Sequence, residues 1–209
     1  MKKHIQFFLK ENSSTPSIFK QAFCVKEKFN LRALLIIALF FAIAFYPSDI
    51  SWYRARQKDK SPHVIIIENG LRYVPTVLQF AVPILFADKI GLIQATYVAV
   101  GTTITTQGLK RIMNNWSSYT IRLGERPFDE GSRFNMPSGH TTMAASAVFF
   151  LLFRYGIWHL SYSMPLLLLT MYARIMLKAH TLSAVFAGSV LAFLIASLLT
   201  SRFAKSKLK

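Results

Sequence analysis

Little cysteine and little negative charge are present in this sequence. Cys24 is the single cysteine among 209 residues, which excludes an internal disulfide and a metal site built from several cysteines. Nine residues are acidic, against 25 lysines and arginines, and the formal net charge is +16. Asp129 and Glu130 are adjacent and expected in a solvated loop, so no cluster of carboxylates offers ligands to a divalent ion. We therefore expect no metal and no other cofactor.

Charged residues as a whole are also scarce. They make up 16% of the chain, whereas a soluble domain carries about 25%. Hydrophobic residues make up 53%, the mean hydropathy is +0.35, and the apolar residues stand in long blocks. These features predict a polytopic membrane protein rather than a soluble protein with buried helices.

The positive charge lies mainly at the ends of the apolar blocks and in the two terminal regions. This distribution is typical of a protein seated among anionic lipid headgroups. The predicted partner is therefore a membrane lipid and not a nucleic acid, and part of the charge is available to bind an anionic substrate.

Six apolar segments predict an all-α fold with six transmembrane helices. They cover about Leu31–Tyr46, Leu71–Ala87, Ile90–Leu109, Thr141–Phe153, Pro165–Leu177 and Leu182–Leu199. The first segment lacks a small-residue cleavage site, so we interpret it as a retained span and not as a signal peptide. We divide the chain into a basic N-terminal tail (residues 1–30), a membrane domain (31–200) and a basic C-terminal tail (201–209).

An even number of spans places both termini on one side of the membrane. Because the tails hold most of the positive charge that no other role explains, we place the termini in the cytoplasm. The exit of the third span, the entry of the fourth and the exit of the fifth then share the opposite side. The polar motifs lie at these three places, so the topology predicts that they converge.

The most distinctive motif is Met136-Pro137-Ser138-Gly139-His140, at the entry of the fourth span. Pro137 suits the first turn of a helix, because its missing N–H is not needed there. The N–H groups of Ser138, Gly139 and His140 would then be free to bind an anion, assisted by the helix dipole. An ordinary Pro-Ser-Gly turn is the alternative interpretation.

Two arginines and a second histidine complete the pattern. Arg126 is held extended by the following Pro127, and its guanidinium can bind two phosphate oxygens or pair with Glu125 or a lipid headgroup. Arg174 lies near the end of the fifth span, where a charge is costly and indicates function. His180 is expected in the turn beyond that helix, because six residues do not return to one helix face.

These residue types together favour phosphoryl transfer. Such a reaction needs a nucleophile, positive charge on the phosphate oxygens and an acid for the leaving group. With ordinary pKa values of about 6.5, two histidines can supply both the nucleophile and the acid near neutral pH.

The spaced pattern of Lys110, Arg126-Pro127, Pro137–His140 and Arg174-x5-His180 resembles the type 2 phosphatidic acid phosphatase (PAP2) superfamily over about residues 110–188. The resemblance implies that His180 becomes phosphohistidine, that His140 protonates the leaving alcohol, and that no metal is used. It implies that the phosphate is held by Lys110, Arg126, Ser138, Gly139 and Arg174. The residues flanking the motifs, such as Phe134-Asn-Met before Pro137, resemble bacterial lipid A phosphatases in particular.

Two positions depart from the family pattern. The family usually spaces its lysine and its Arg-Pro by six residues, whereas 15 residues separate Lys110 from Arg126, so Arg111 or Arg122 could take the place of Lys110. The family also has an aspartate four residues after the nucleophilic histidine, where this chain has Ala184. The candidates to orient the imidazole instead are Thr181, Ser183, Glu125 and a backbone carbonyl.

The resemblance implies a lipid A phosphatase at the periplasmic face of a bacterial inner membrane, with a lean toward the 4′-phosphate over the 1-phosphate. Undecaprenyl diphosphate, phosphatidylglycerophosphate and phosphatidic acid stay open as substrates, as does transfer of the phosphate to a lipid acceptor. A non-catalytic lipid-binding protein is the alternative of another class, because Ala184 replaces the usual aspartate. A transporter is disfavoured, since the sequence shows no repeated halves.

Overall fold

The computed structural model describes Ala22 and residues 31–118, 121–128 and 131–203. The α-helices in residues 31–203 are α1 (Leu31–Ala44), α2 (Ile50–Arg54), α3 (Pro62–Asn69), α4 (Val74–Leu85), α5 (Lys89–Ile112), α6 (Gly139–Tyr155), α7 (Leu160–Met176) and α8 (Leu182–Leu199). Short 3₁₀ turns lie at Leu71–Tyr73, Met113–Asn115 and Ile157–His159, and strands β1 (Ser117–Ser118) and β2 (Ile121–Arg122) pair antiparallel. Most of the two predicted tails, together with Cys24, Asp129 and Glu130, lies outside the described residues.

Each predicted apolar segment corresponds to one α-helix, in chain order α1, α4, α5, α6, α7 and α8, and helices α5, α6 and α7 begin before their segments. Among the described helices, α8 is the one both long and apolar enough to cross a membrane by length and composition. Helix α1 is apolar but has only 14 residues. The mainly helical fold is thus confirmed, whereas the six membrane crossings stay a prediction.

Helices α6 and α8 form the centre of the bundle. Helix α8 packs against α6, α1 and α5, and α6 also contacts α4 and α7. Gly188 lets the two central helices approach closely, because a Cβ there would lie 2.7 Å from the Thr142 hydroxyl oxygen and 2.9 Å from the Ser138 carbonyl oxygen. This contact fixes the start of α6 against the first turns of α8.

The long connection between α5 and α6 folds back onto the end of the bundle. Its residues Leu123 and Met136 are buried in a cluster with Phe40 of α1. The N–H of Asn135 donates to the carbonyl of Gly124 at 2.9 Å and joins two parts of the connection. The apolar anchors therefore hold the polar residues between them at the bundle end.

An ion pair between Asp88 and Arg154 closes the opposite end of the bundle. Arg154 Nη2 and Nε donate to the two carboxylate oxygens at 2.6 and 2.7 Å, and both side chains are 4% exposed. The Tyr155 hydroxyl donates to the same carboxylate at 2.8 Å. Arg154 also donates to the Ser201 carbonyl at 2.9 Å, so the pair joins the start of α5, the end of α6 and the segment after α8.

Replacing Arg154 by alanine is expected to destabilise the protein by about 3–5 kcal/mol, because the Asp88 carboxylate stays buried without its guanidinium partner. Thermal unfolding of the purified protein measures the effect. Arg202→Ala removes an exposed arginine of the same region and should change stability by less than about 0.5 kcal/mol. Equal melting temperatures for the two variants would contradict the importance of the ion pair.

Candidate active site

A pocket of about 240 Å³ opens at the bundle end opposite the Asp88–Arg154 pair. It is lined by Thr103, Thr106, Gln107, Lys110, Arg126, Gly139, His140, Met143, Arg174 and His180. Six of the seven residues that the sequence predicts for the site are in this lining, and Ser138 is the exception. The three motifs therefore converge in space, as the alternation of the helices predicted.

His180 follows α7 in a tight turn. The carbonyl of Arg174 accepts the N–H groups of Ala179 at 3.0 Å and of His180 at 3.3 Å, and Lys178 has a positive φ of 53°. His180 is 2% exposed. The prediction that Arg174 lies in the last turns of the helix and His180 just beyond it is confirmed.

The imidazole of His180 is held by Asn135. Its Nδ1 lies 2.8 Å from the backbone carbonyl oxygen and 3.2 Å from the side-chain oxygen of Asn135. A carbonyl oxygen only accepts hydrogen bonds, so Nδ1 carries the proton and Nε2 keeps its lone pair. This is the tautomer that a nucleophilic histidine needs.

The contact that orients the imidazole comes from Asn135 and not from position 184. Ala184 is buried in the apolar core, and of the four candidates to orient the imidazole the backbone carbonyl is the one observed. Thr181 and Ser183 bond each other at 3.0 Å, and Glu125 pairs with an arginine elsewhere.

Sequence reasoning did not single out Asn135, although it directly precedes the motif that begins at Met136. Its side-chain amide also ties it to the turn before α8. The Asn135 Oδ1 accepts the N–H of Thr181 at 3.2 Å, and its Nδ2 donates to the Thr181 hydroxyl at 3.1 Å. Asn135 therefore holds both the imidazole and the turn that carries it.

The start of α6 differs from the prediction. The helix begins at Gly139, with Ser138 as its N-cap residue in an extended conformation. Pro137 precedes the helix rather than lying in its first turn, and the Met136–Pro137 peptide bond is cis.

The N–H of Ser138 is not free, contrary to the prediction, because it donates to the carbonyl of Ala184 at 2.9 Å. The Ser138 hydroxyl lies 3.0 Å from the hydroxyl of Thr141, and the residue is fully buried. The N–H groups at the helix start that stay available as donors are thus those of Gly139 and His140, and both residues line the pocket. Close packing against α8 is the reason, since it places a carbonyl acceptor at Ser138.

Lys110, Arg111 and Arg122 are the candidates for the phosphate-binding cation that precedes Arg126. Of the three, Lys110 lines the pocket. It is 6% exposed, and its Nζ donates to the carbonyl of Phe134 at 2.8 Å. The same atom lies 3.9 Å from the position that a Cβ would take on Gly139. Arg111 is exposed on its helix, and Arg122 donates to a loop carbonyl at 2.6 Å.

Arg126 is positioned by its own loop. Its N–H donates to the hydroxyl of Ser132 at 2.8 Å, and its Nε donates to the carbonyl of Arg133 at 3.1 Å. Pairing of Arg126 with Glu125 is not found, because Glu125 lies 2.6 Å from Arg54. Arg126 therefore lines the pocket without pairing with the adjacent Glu125.

Arg174 has a partner that sequence reasoning missed. Its Nη1 lies 2.5 Å from Oε1 of Glu68, and Arg72 donates to the same carboxylate. Glu68 is on α3, between the first two predicted spans. It is 106 positions from Arg174, so no local pattern links the two.

The positive charge of the pocket disfavours further protonation of both histidines, which lie outside the predicted spans. Burial, followed by the charges of Lys110 and Arg174, holds the pKa of His180 well below its usual range. Partial desolvation, followed by Arg174 and Arg72, lowers the pKa of His140 to about 4. Both rings are therefore neutral at pH 7 without an anion beside them, and a dianionic phosphate would raise the pKa of His140.

This arrangement can carry out phosphoryl transfer. A neutral imidazole with a free Nε2 can attack phosphorus, a second imidazole is available as the acid, and three cationic side chains can neutralise the phosphate oxygens. Within the described residues, no group of three or more histidine, cysteine, aspartate or glutamate side chains is placed to hold a metal ion.

Sequence comparison finds relatives over most of the chain. Residues 91–207 match the PAP2 superfamily. Two proteins named lipid A 1-phosphatase, from Helicobacter pylori strains J99 and 26695, are 36% and 37% identical, covering 88% of this chain and 95% and 96% of theirs. A lipid A 4′-phosphatase from strain J99 is 34% identical, covering 66% of this chain and 69% of its own length.

A solved structure shares the fold. The transmembrane PAP2-type phosphatidylglycerolphosphate phosphatase from Bacillus subtilis superposes with a TM-score of 0.52 at 18% identity, covering 81% of this chain and 94% of that one. The family match spans more than half of the chain, and the 1-phosphatase relatives align over nearly their whole length. The chain therefore belongs to the PAP2 superfamily.

Proposed function

We propose that this protein is an integral membrane phosphatase that hydrolyses a phosphate monoester of lipid A through a phosphohistidine on His180. The contact of the His180 Nδ1 with the Asn135 carbonyl carries the proposal, because it leaves Nε2 unprotonated at a pocket with three cationic side chains. The kinship with proteins named lipid A 1-phosphatase supports lipid A as the substrate.

In the proposed reaction, Nε2 of His180 attacks phosphorus and the bond to the leaving oxygen breaks. His140 donates a proton to that oxygen. It then accepts a proton from the water that attacks the phosphohistidine, the bond between phosphorus and Nε2 breaks, and inorganic phosphate leaves. The phosphate oxygens are neutralised by Lys110, Arg126 and Arg174 and by the N–H groups at the start of α6. Every group that this sequence of steps requires from the protein lines the pocket.

The surface of the bundle supports a membrane location. Large apolar side chains are more than half exposed on several helices, among them Leu35, Val77, Ile104 and Leu168. Soluble monomers rarely expose so much apolar surface, and lipid tails would cover it. We propose that six helices cross a bacterial inner membrane, with the pocket at the periplasmic side and the termini in the cytoplasm.

We propose the 1-phosphate of lipid A as the group removed. The 1-phosphatase relatives align over nearly their whole length, whereas the 4′-phosphatase relative aligns over about two thirds of its own. The preference for the 4′-phosphate in the sequence analysis was not based on any particular residue. The extent of these alignments is the stronger argument, and it favours the 1-phosphate.

Cells that express this protein are expected to make lipid A that lacks one phosphate and keeps the other at the 4′ position. Mass spectrometry of intact lipid A and of its fragments locates the missing group. The purified protein should release phosphate from lipid A in the presence of a chelator, and faster than from phosphatidic acid, phosphatidylglycerophosphate or undecaprenyl diphosphate.

Unchanged lipid A in these cells, or faster hydrolysis of one of the other lipids, would contradict the proposed substrate. Loss of the 4′-phosphate would contradict the proposed position alone. Formation of a phosphorylated acceptor lipid without free phosphate would show a transferase instead of a hydrolase.

A further inference from the structure

Glu68 is the acidic residue that contacts an arginine of the pocket within the described part of the chain. Arg72 and Arg174 both donate to its Oε1. Its other oxygen, Oε2, is buried without a hydrogen-bond partner among the described residues, and so is Nε of Arg174. The carboxylate thus holds two guanidinium groups by a single oxygen beside the proposed phosphate site.

The position of Glu68 is set by apolar packing between α3 and α7. Ile67 of α3 is buried in a cluster with Ala173 of α7. Ile67 precedes Glu68 and Ala173 precedes Arg174, so the apolar contact brings the two charged side chains together. The pairing occupies Nη1 of Arg174, while the residue still lines the pocket.

We propose that Glu68 is a positioning residue of this site: it fixes the guanidinium of Arg174 through the chain Arg72–Glu68–Arg174, and it places a negative charge beside His140. This role presupposes the phosphatase function proposed above. Glu68 lies 42 positions before Lys110, outside the sequence motifs described above.

A guanidinium held by one nitrogen loses much of its rotational freedom before the substrate arrives. Arg174 sits on a long flexible side chain, and ordering such a chain costs free energy on binding. The Glu68 contact provides this ordering. Correct placement matters for rate, since a displacement of about 1 Å can lower it about 100-fold.

The charge of Glu68 also acts on His140. The charged groups that act on His140 are Lys110 on α5, Arg174 on α7, Glu68 on α3 and Arg72 in the turn after it. Arg126 and His180 line the same pocket. Burial and the three cations lower the pKa of His140, whereas Glu68 raises it. His140 must be protonated to donate to the leaving oxygen, so Glu68 offsets part of the penalty that the phosphate-binding cations impose.

Glu68→Gln keeps the shape of the side chain and removes its charge. We expect kcat for lipid A to fall by up to about 100-fold. The basic limb of the kcat–pH profile should also move to lower pH, because His140 loses its proton more readily without the carboxylate. Glu68→Asp keeps the charge on a shorter chain, so it should lower kcat and leave the basic limb in place.

Glu125→Gln is the matched control, since it removes a carboxylate that pairs with Arg54 outside the pocket lining. It should keep the kcat and the pH profile of the unmodified protein. Unchanged kcat and pH profile in Glu68→Gln would overturn the positioning role. An equal shift of the basic limb in Glu68→Asp and Glu68→Gln would overturn the charge effect.

Failure of both Glu68 variants to yield folded protein would also overturn the proposal, because Glu68 would then support the fold and not the site. Circular dichroism and thermal unfolding of each variant test this directly. Absence of turnover in the unmodified protein would refute the phosphatase function, and this role with it, before any variant is measured.

Discussion

Replacing His180 by alanine is expected to lower phosphate release from lipid A by at least about 10⁴-fold, as for other enzymes that lose their nucleophile. The substitution removes Nε2, the atom proposed to attack phosphorus, while Lys110, Arg126 and Arg174 remain. Substrate binding should therefore persist, and the loss should appear in kcat rather than in KM. Initial rates over a range of lipid A concentrations measure both quantities.

A trapping experiment tests whether a phosphohistidine forms on His180. Rapid denaturation during turnover of a lipid carrying radioactive phosphate should leave label on the unmodified protein and none on His180→Ala. His159→Ala is the matched control, since His159 lies outside the pocket lining and contacts Tyr162. That control should keep its activity within about twofold, and full activity in His180→Ala would refute the mechanism.

Replacing His140 by glutamine is expected to slow hydrolysis of lipid A about 10²–10⁴-fold, the contribution usual for general acid–base catalysis. The loss arises because the leaving alcohol must then depart without a proton. An aryl phosphate, whose leaving group is already acidic, should suffer a much smaller loss. Rates of the variant and of the unmodified protein on both substrates give the comparison.

Comparing the loss of rate on lipid A with the loss on the aryl phosphate shows whether His140 acts as an acid or only supports the structure. His180→Ala should lose both activities to a similar extent, because every substrate needs the nucleophile. An equal loss on lipid A and on the aryl phosphate in His140→Gln would contradict the role of His140 as the acid.

The surroundings of the two histidines favour the different roles that we propose for them. His180 is buried, keeps its proton on Nδ1 and stays neutral, as a nucleophile must. His140 is exposed at the pocket, so the proton it needs can reach it once phosphate offsets the nearby cations. Burial and the hydrogen bond to Asn135, rather than the identity of the side chain, are the reasons for proposing His180 as the nucleophile.

Much of the fold was predictable because it depends on the order of apolar and polar segments along the chain. Runs of apolar residues correspond to the helices, and alternation of helix direction then assigns each polar motif to one end of the bundle. Lys110, Gly139, His140, Arg174 and His180 were placed at one site by this reasoning, and all five line one pocket. The spacing of Arg174 and His180 also predicted a helix end followed by a turn.

Contacts between distant residues were not predictable in the same way. The Asn135–His180 bond joins residues 45 positions apart, and the Asp88–Arg154 pair joins residues 66 apart. Neither contact has a local sequence pattern, since an asparagine in a loop or an arginine at a helix end has many possible partners. Pro137 was misplaced for a related reason, because the start of α6 depends on its packing against α8.

The sequence by itself determined that the chain is mainly helical and rich in apolar residues, and which basic residues and histidines gather at one end of the bundle. It could do so because hydropathy and motif order are properties of the chain alone. Only the tertiary structure decided how the candidate site is supported: the main-chain carbonyl of Asn135 orients His180, and Glu68 holds Arg174. Both contacts require the burial and close packing of helices far apart in sequence, and such packing exists only in the folded protein.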